Sequence, residues 1–273
     1  MDMFSLNNKI IIVTGASGLL GREHVEAIAS FGGTPVLIDL NQNSLDEQVK
    51  NLNSKYNINS SGYAVDITNE NEVKKNKLEV INKYSKIDGL VNNAANNPKV
   101  ENTDEINFSR LENFPLDMWQ KDIDVALKGT FLCIKYYGFQ ISKNINGGSI
   151  VNISSDLGLI APDQRLYQID GLDEEKQPVK PITYSVVKTG VIGITRYVST
   201  YWATKNVRCN AICPGGVENN QNSNFITEVI KRIPMNRMAN KNEYQGLLVF
   251  LLSEASSYIN GSIIAADGGR STW

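Results

Sequence analysis

Ile10-Ile11-Ile12-Val13 is an unbroken β-branched run, and a glycine-rich turn, Thr14-Gly15-Ala16-Ser17-Gly18-Leu19-Leu20-Gly21, follows it without a gap. No polar residue alternates within the run, which is the pattern of a strand covered on both faces. Apolar residues at helical spacing continue from Leu19 to Phe31. A doubly covered strand that turns at once into a helix calls for layers, with helices packed on a parallel sheet.

The same unit repeats along the chain. Pro35–Leu40, Gly62–Val65, Asp88–Val91, Ser149–Ile153, Val207–Ile212 and Ser262–Ala265 read as further strands. Leu45–Tyr56, Glu70–Tyr84, Leu116 to about Ser142, Pro181 to about Ala203 and Glu243–Ser253 read as helices. Asn92 to about Pro115 is rich in Asn, Asp and Glu and reads as loop. Short strands alternating with helices predict a single-domain α/β fold, a Rossmann-type doubly wound parallel sheet of about seven strands with helices on both faces. No linker and no repeat of fixed period divides it. The many Asn residues read as compositional bias and not as a functional tract.

Composition narrows the function. With 273 residues, the chain is long enough to bury a large core. A net charge of −2 with no basic block argues against a nucleic-acid partner. Cys133, Cys209 and Cys213 are too few, and odd in number, for a disulfide framework, so a reducing, cytoplasmic compartment is expected. Cys209 and Cys213 are four apart, but the one histidine, His24, is remote and no CxxC or HExxH occurs, so no metal site is expected. Met1–Lys9 lacks the pattern of a secretory leader, and no apolar run is long enough to span a bilayer.

The glycine turn carries the first functional signal. Glycine lets the chain turn tightly and lets a phosphate approach the backbone, while the helix behind it offers unpaired N–H groups and a positive dipole end. Asp39 ends the second strand, 18 residues after Gly21. An acid there accepts hydrogen bonds from an adenosine ribose and repels a 2′-phosphate. Leu40 and Asn41 offer that phosphate no cation, and Arg22 lies within the helix after the last glycine. The expected cofactor is therefore NAD.

Thr14–Gly21, Asp66 after the third strand, Asp88-Gly89-Leu90-Val91-Asn92-Asn93-Ala94-Ala95, Ser149–Gly158, Tyr184-Ser185-Val186-Val187-Lys188, Asn210 through Pro214-Gly215-Gly216-Val217, and Asp267-Gly268-Gly269 occur in this order along nearly the whole chain. Together they resemble the short-chain dehydrogenase/reductase family. The resemblance implies that Gly15, Ser17, Gly18, Leu19, Leu20 and Gly21 hold the pyrophosphate and that Asp66 and Ile67 flank the adenine. It implies that Asn93 and Ala94 line the cofactor cleft and that Pro214, Gly215 and Val217 meet the nicotinamide. For Asn92 a sheet-stabilising hydrogen bond is an equal alternative.

Hydride transfer to or from a carbonyl needs an acid or base for the oxygen. Tyrosine is a poor base at its ordinary pKa of about 10, and a nearby lysine ammonium favours the phenolate. Tyr184 and Lys188, four apart on a predicted helix, share one face. Lys188 is also assigned to the nicotinamide ribose. Ser155, at the carboxyl edge after the fifth strand, is placed to orient the substrate oxygen. Tyr167 competes, because it lies 12 residues after Ser155 whereas Tyr184 lies 29 after it. Residue 171, four beyond Tyr167, is glycine. Tyr184 is therefore preferred, and about 160–181 becomes an insertion, either a surface loop or a flap over the substrate.

Two departures from the family pattern stand out. The middle glycine is at position 18 with Leu19 after it, a spacing similar to the longer, sugar-nucleotide-modifying branch. The family's fourth-helix Asn, which helps to hold a relay water, is Ala126 here. The glycine turn, Asn92-Asn93-Ala94-Ala95-Asn96-Asn97-Pro98 and the insertion are similar to family members associated with bacterial surface-sugar synthesis, including sialic-acid-like sugars. That implies a phosphorylated or nucleotide-linked sugar, with Arg165, Arg237 and Lys99 as candidate cations for its anionic group. The expected activity is NAD-dependent oxidation or reduction of a hydroxyl/carbonyl substrate. The alternatives are a sugar epimerase or dehydratase using bound NAD, and a catalytically weak cofactor-binding module. The fourth and fifth helices, Leu116–Ser142 and Pro181–Ala203, are too apolar to face water all round, and the family resemblance implies that they form a homodimer or homotetramer interface.

Overall fold

A computed structural model of the chain describes residues 3–96 and 108–273. Seven strands, β1 (Ile10–Thr14), β2 (Thr34–Asp39), β3 (Ser61–Ala64), β4 (Gly89–Asn92), β5 (Gly148–Ile153), β6 (Val207–Pro214) and β7 (Ile263–Ala266), form one sheet in the order β3-β2-β1-β4-β5-β6-β7. Every pairing in it is parallel. The order reverses between β1 and β4, and open α/β sheets bind ligands at such a switch point, beyond the strands' carboxyl ends.

Alternation along β1 divides the core in two. Ile10 and Ile12 join Val36, Ile38, Leu90 and Ile150 on one face, where α3 (Glu70–Tyr84) adds Val73 and Val80. Ile11 and Val13 join Leu37, Val91 and Val151 on the other, under α1 (Leu19–Ser30), α2 (Gln42–Tyr56) and α7 (Gln245–Leu252). This explains the unbroken apolar run, since neither face of β1 meets water. The first face is completed by the long helix that starts at Leu116 and by α5 (Ile182–Tyr201).

The predicted helix from Leu116 is continuous but not uniform. It runs as α-helix over Leu116–Ile123, widens to π turns over Asp124–Gly129 and Ile134–Gly138, and ends at Phe139–Ile141; we label it all α4. The predicted helix at Glu243–Ser253 begins as a 3-10 turn, Lys241–Tyr244, before α7. One helix was not predicted, α6 (Ser223–Ile230), capped by the Asn222 side chain. Asparagine has a further use here, because Asn8, Asn57, Asn206, Asn220 and Asn236 take positive φ. Its short polar side chain tolerates that region better than most.

All three cysteines are buried and free. Among the described residues no three metal-ligating side chains cluster, and His24 lies inside α1 with burial holding its pKa down to about 4. No helix among them is long and apolar enough to cross a membrane.

Candidate active site

A cleft of about 720 Å³ opens at the carboxyl edge of the sheet. At one end lies the glycine turn. Gly15 has φ +63°, and a Cβ there would come 2.8 Å from the Ala94 Cα. Gly18, Leu19 and Leu20 line the cleft at the start of α1. Gly21 does not face it. It is buried in α1, where a Cβ would come 2.0 Å from the Gly15 carbonyl oxygen, so its role is to let helix and turn touch.

The turn is braced from both sides. The Asn93 side-chain amide donates to the carbonyls of Thr14 and Gly15, each at 3.0 Å. The Thr14 hydroxyl accepts from the backbone N–H groups of Asn93 and Ala94. Asn92 turns away into the sheet and donates to Asn152 Oδ1 at 2.8 Å, which settles that residue as a sheet contact. From β2, one Asp39 carboxylate oxygen accepts from the Ser17 N–H at 2.8 Å and the other from the Leu40 N–H at 2.7 Å. Asp66 caps the approach to α3 by accepting from Thr68, and with Ile67 it lines the far wall. Arg22 reaches further than its place in the helix suggested. It donates to the Ser17 carbonyl and the Ser44 hydroxyl, each at 3.0 Å, beside the Asp39 corner.

At the other end lie Ser155, Tyr184 and Lys188. Pro181 ends the preceding segment and α5 begins at Ile182, so Tyr184 falls in the first turn and Lys188 one turn later. Ser155 caps the 3-10 turn that follows β5, its oxygen accepting from the Leu157 N–H. The Ser155 hydroxyl bonds the Tyr184 phenol, which lowers that phenol's pKa. Burial, with a smaller push from Asp156, outweighs this and leaves the Tyr184 pKa above its ordinary value. Lys188 is buried, its Nζ donating to the Ile153 carbonyl at 2.9 Å and lying 5.8 Å from the Tyr184 ring centroid. Burial pulls its pKa down to about 8. The expected lowering of the Tyr184 pKa is not seen here, because the loss of water around the phenol penalises the phenolate. Pro214, Gly215 and Val217 close the cleft from the end of β6.

Three groups in this end were missed from sequence. Asp156 accepts from the Ser155 hydroxyl at 2.8 Å and from Arg270, also at 2.8 Å, in a buried ion pair. Lys180 places Nζ 3.8 Å from the Tyr184 ring centroid. Asp156 adjoins Ser155, and Arg270 follows the Gly268-Gly269 pair, but nothing in their spacing brings them together. Residues 160–181 fold over this end with two 3-10 turns, Gln164–Tyr167 and Glu174–Lys176. Leu166 packs against Val229, Ile233 and Met238, and the Tyr167 and Phe225 rings meet at a tilt of 46° with centroids 5.7 Å apart. Tyr167 therefore lines the same cleft, with burial pushing its pKa up to about 12.

The proposed anion-binding cations fare less well. Arg165 is engaged by Asp163, and Arg237 by Glu243; neither lines the cleft. Lys99 lies outside the described residues. Ala126 is buried and borders a cavity of about 10 Å³ beside Tyr184, also lined by Asp122 and Lys180.

Comparison with known proteins fits this geometry. A family profile described as short chain dehydrogenase matches residues 9–167, and one described as enoyl-(acyl carrier protein) reductase matches residues 173–271. The 3-oxoacyl-(acyl-carrier-protein) reductase FabG of Aquifex aeolicus is 30% identical over 269 residues, covering 97% of this chain and 98% of its own. An NADP-dependent mannitol dehydrogenase of Hypocrea jecorina is 29% identical, covering 100% of this chain and 96% of its own. The crystal structure of a short chain dehydrogenase from Leptospira borgpetersenii with bound NAD+ superimposes with a TM-score of 0.80 at 30% identity, covering 98% of this chain and 94% of that one.

Proposed function

The chain belongs to the short-chain dehydrogenase/reductase family, and from that membership we propose that it is an NAD-dependent oxidoreductase acting on a hydroxyl or carbonyl group of a sugar or polyol. The observation that carries the reading is one cleft with a glycine cradle at one end and Ser155, Tyr184 and Lys188 at the other. The cradle fits a dinucleotide, because Gly15, Gly18 and the start of α1 offer backbone to the cleft where a pyrophosphate must come close. Gly15, Ser17, Gly18, Leu19 and Leu20 hold it, with Asp39 at the ribose, Asp66 and Ile67 at the adenine, and Pro214, Gly215 and Val217 at the nicotinamide. The bound nicotinamide supplies the hydride chemistry.

The chain's own residues move the proton. Ser155 orients the substrate oxygen, and Tyr184 takes or gives its proton. Lys188 holds a positive charge behind that tyrosine and is assigned to the nicotinamide ribose. The buried Arg270–Asp156 pair fixes Ser155 through the Asp156 carboxylate. Residues 160–181 are proposed as a flap that excludes water from this end. The mannitol dehydrogenase relative supports a polyol-like substrate, with a phosphorylated or nucleotide-linked sugar as a narrower member of the class. The three buried free thiols support a cytoplasmic, reducing setting.

A panel of polyols and sugars, including sugar phosphates and nucleotide sugars, assayed with NAD+ and NADP+ in parallel, tests the reading. Net formation of reduced nicotinamide, with NAD+ preferred, is expected. Turnover of sugar without net reduced nicotinamide would instead mark an epimerase or dehydratase. Arg22 favours a second reading of the cofactor, since its guanidinium stands beside the corner that a 2′-phosphate would enter. Asp39 repels that phosphate, so Asp39→Ser is expected to shift the NAD+/NADP+ preference toward NADP+ by about tenfold or more. An unchanged ratio in Asp39→Ser would assign the preference elsewhere.

A homodimer or homotetramer is also proposed. Phe131 and Phe139 on α4, and the stacked pair Tyr197 and Tyr201 on α5, are all exposed. Such apolar and aromatic surface on adjacent helices is what an isologous interface buries. Light scattering at micromolar concentration is expected to give a dimer or tetramer, and Phe131→Asp with Tyr197→Asp a smaller species. A wild-type monomer would refute it.

A further inference from the structure

We propose that Lys180, delivered by the segment before α5, acts as a second cation on Tyr184 and sets the pH at which that tyrosine works. The proposal rests on the reading of Tyr184 as the acid/base group. Lys180 Nζ lies 3.8 Å from the Tyr184 ring centroid, whereas Lys188 Nζ lies 5.8 Å away. A cation over a neutral phenol ring is held by the ring quadrupole, and over a phenolate it is held by a full opposite charge. The contact therefore strengthens when the proton leaves, which lowers the tyrosine's pKa.

The chain fixes this lysine in place. Pro181 follows it and α5 starts one residue later. Its backbone N–H donates to Gln164 Oε1 at 2.8 Å, tying it to the first turn of the covering segment. The Val179 N–H beside it donates to the Ser109 hydroxyl at 3.1 Å. Below it, the small side chain of Ala126 leaves the cavity of about 10 Å³ that Lys180 and Tyr184 share.

Other charged and titratable groups also face Tyr184. Asp156, on the turn after β5, opposes ionisation of the phenol, but Arg270 pairs with it. Asp122, from α4, accepts from the Thr183 hydroxyl. Tyr167, from the covering segment, is neutral through the physiological range, its pKa standing near 12. Lys188, on the same helix as Tyr184, is engaged by the Ile153 carbonyl. Burial brings the pKa of Lys180 itself down to about 8, with Asp156 pulling the other way. That value applies beside a neutral phenol; a phenolate beneath the ammonium favours its charged form, so the two charges stabilise each other and the groups titrate as a pair.

The test compares wild type, Lys180→Met and Lys180→Arg. In the oxidative direction, the rising limb of kcat/KM against pH is expected to move up by about one unit in Lys180→Met, a loss of about tenfold near pH 7. The two profiles are expected to converge at alkaline pH, where Tyr184 has lost its proton in both proteins. Lys180→Arg, which keeps its charge, should hold the limb at or below the wild-type position. An independent readout is ultraviolet titration of tyrosinate, taken as the difference between each protein and the same protein carrying Tyr184→Phe. That signal should move with the limb and needs no substrate, so it stands even if no tested sugar is turned over. NAD binding by calorimetry checks that each variant is folded. An unmoved tyrosinate titration in a variant that binds NAD normally would overturn the proposal. So would a loss equal at every pH, or a change confined to KM, which would make Lys180 a substrate contact.

Discussion

Tyr184→Phe is expected to lower kcat by at least about 10² while leaving the fold and NAD affinity intact, because only one hydroxyl is removed and general acid–base catalysis is typically worth about 10²–10⁴. The comparison that gives this weight is Tyr167→Phe. Both phenols line one cleft, so exposure to substrate does not separate them. Their surroundings do. Tyr184 has Ser155 on its hydroxyl and lysines 3.8 and 5.8 Å from its ring centroid. The Tyr167 ring packs at a tilt against Phe225, and burial pushes its pKa up to about 12. Burial raises the pKa of both phenols, so the difference is made by the Ser155 hydroxyl and the two lysines that stand at Tyr184, and Tyr167→Phe should change KM more than kcat. Steady-state kinetics on the best substrate of the panel decides the matter. A dead Tyr167→Phe beside a near-normal Tyr184→Phe would reverse the roles and would also remove the reason to treat residues 160–181 as inserted. Lys188→Ala is expected to damage both rate and cofactor affinity, since it leaves the Ile153 carbonyl without its donor and removes a buried cation from behind Tyr184.

The parts legible in sequence were those set by local repetition. β1 announces itself because four β-branched residues serve two core faces at once, Ile10 and Ile12 on one and Ile11 and Val13 on the other. Tyr184 and Lys188 could be paired because a helix fixes the geometry of residues four apart. Of the residues that the sequence assigns to the catalytic group and the cofactor, Gly21 alone does not line the cleft, and it acts one layer behind it, whereas the candidate anion-binding Arg165 and Arg237 also lie off the cleft.

What stayed hidden depends on tertiary approach. Asp156 and Arg270 are 114 residues apart and meet only when β5 and the segment after β7 end side by side. Arg22 looked irrelevant to the adenosine corner as long as only its Cα was considered; its long side chain turns back across the turn to Ser17 and Ser44. Helix α6 is short and starts in an asparagine-rich stretch, so its period had too few residues to stand out. Its apolar face makes sense only against Leu166 and Tyr167 of the covering segment, which no local rule connects to it. Lys180 was hidden for the same reason. A lysine before a proline reads as surface loop until the helix that follows is seen to carry Tyr184 directly beneath it.

Gly21→Ala is expected to weaken NAD binding by about tenfold or more and to lower stability by about 1–3 kcal/mol, the usual range for overpacking. Gly18→Ala should be far milder. The difference follows from what each added methyl meets. At position 21 the Cβ would come 2.0 Å from the Gly15 carbonyl oxygen and 2.9 Å from the Ala16 Cα, both backbone, so the helix and the turn must separate. At position 18 the nearest atom, the Gly15 carbonyl oxygen, would lie 3.3 Å away, and a shift of a few tenths of an ångström suffices. Moving α1 away from the turn displaces the Ser17 N–H from Asp39 and withdraws the Gly18–Leu20 backbone from the pyrophosphate, so affinity falls together with stability. Calorimetric NAD titration and thermal unfolding of the three proteins measure both quantities. The unusual spacing, with the middle glycine at 18, then has a physical meaning. Position 21 requires glycine because backbone meets backbone there, whereas position 18 only favours it, and Leu19 can stand beside it because its side chain lines the cleft and does not enter the helix–turn contact. Equal losses in Gly18→Ala and Gly21→Ala would refute this ordering and would show that the whole turn, and not the single contact between residues 15 and 21, limits cofactor binding.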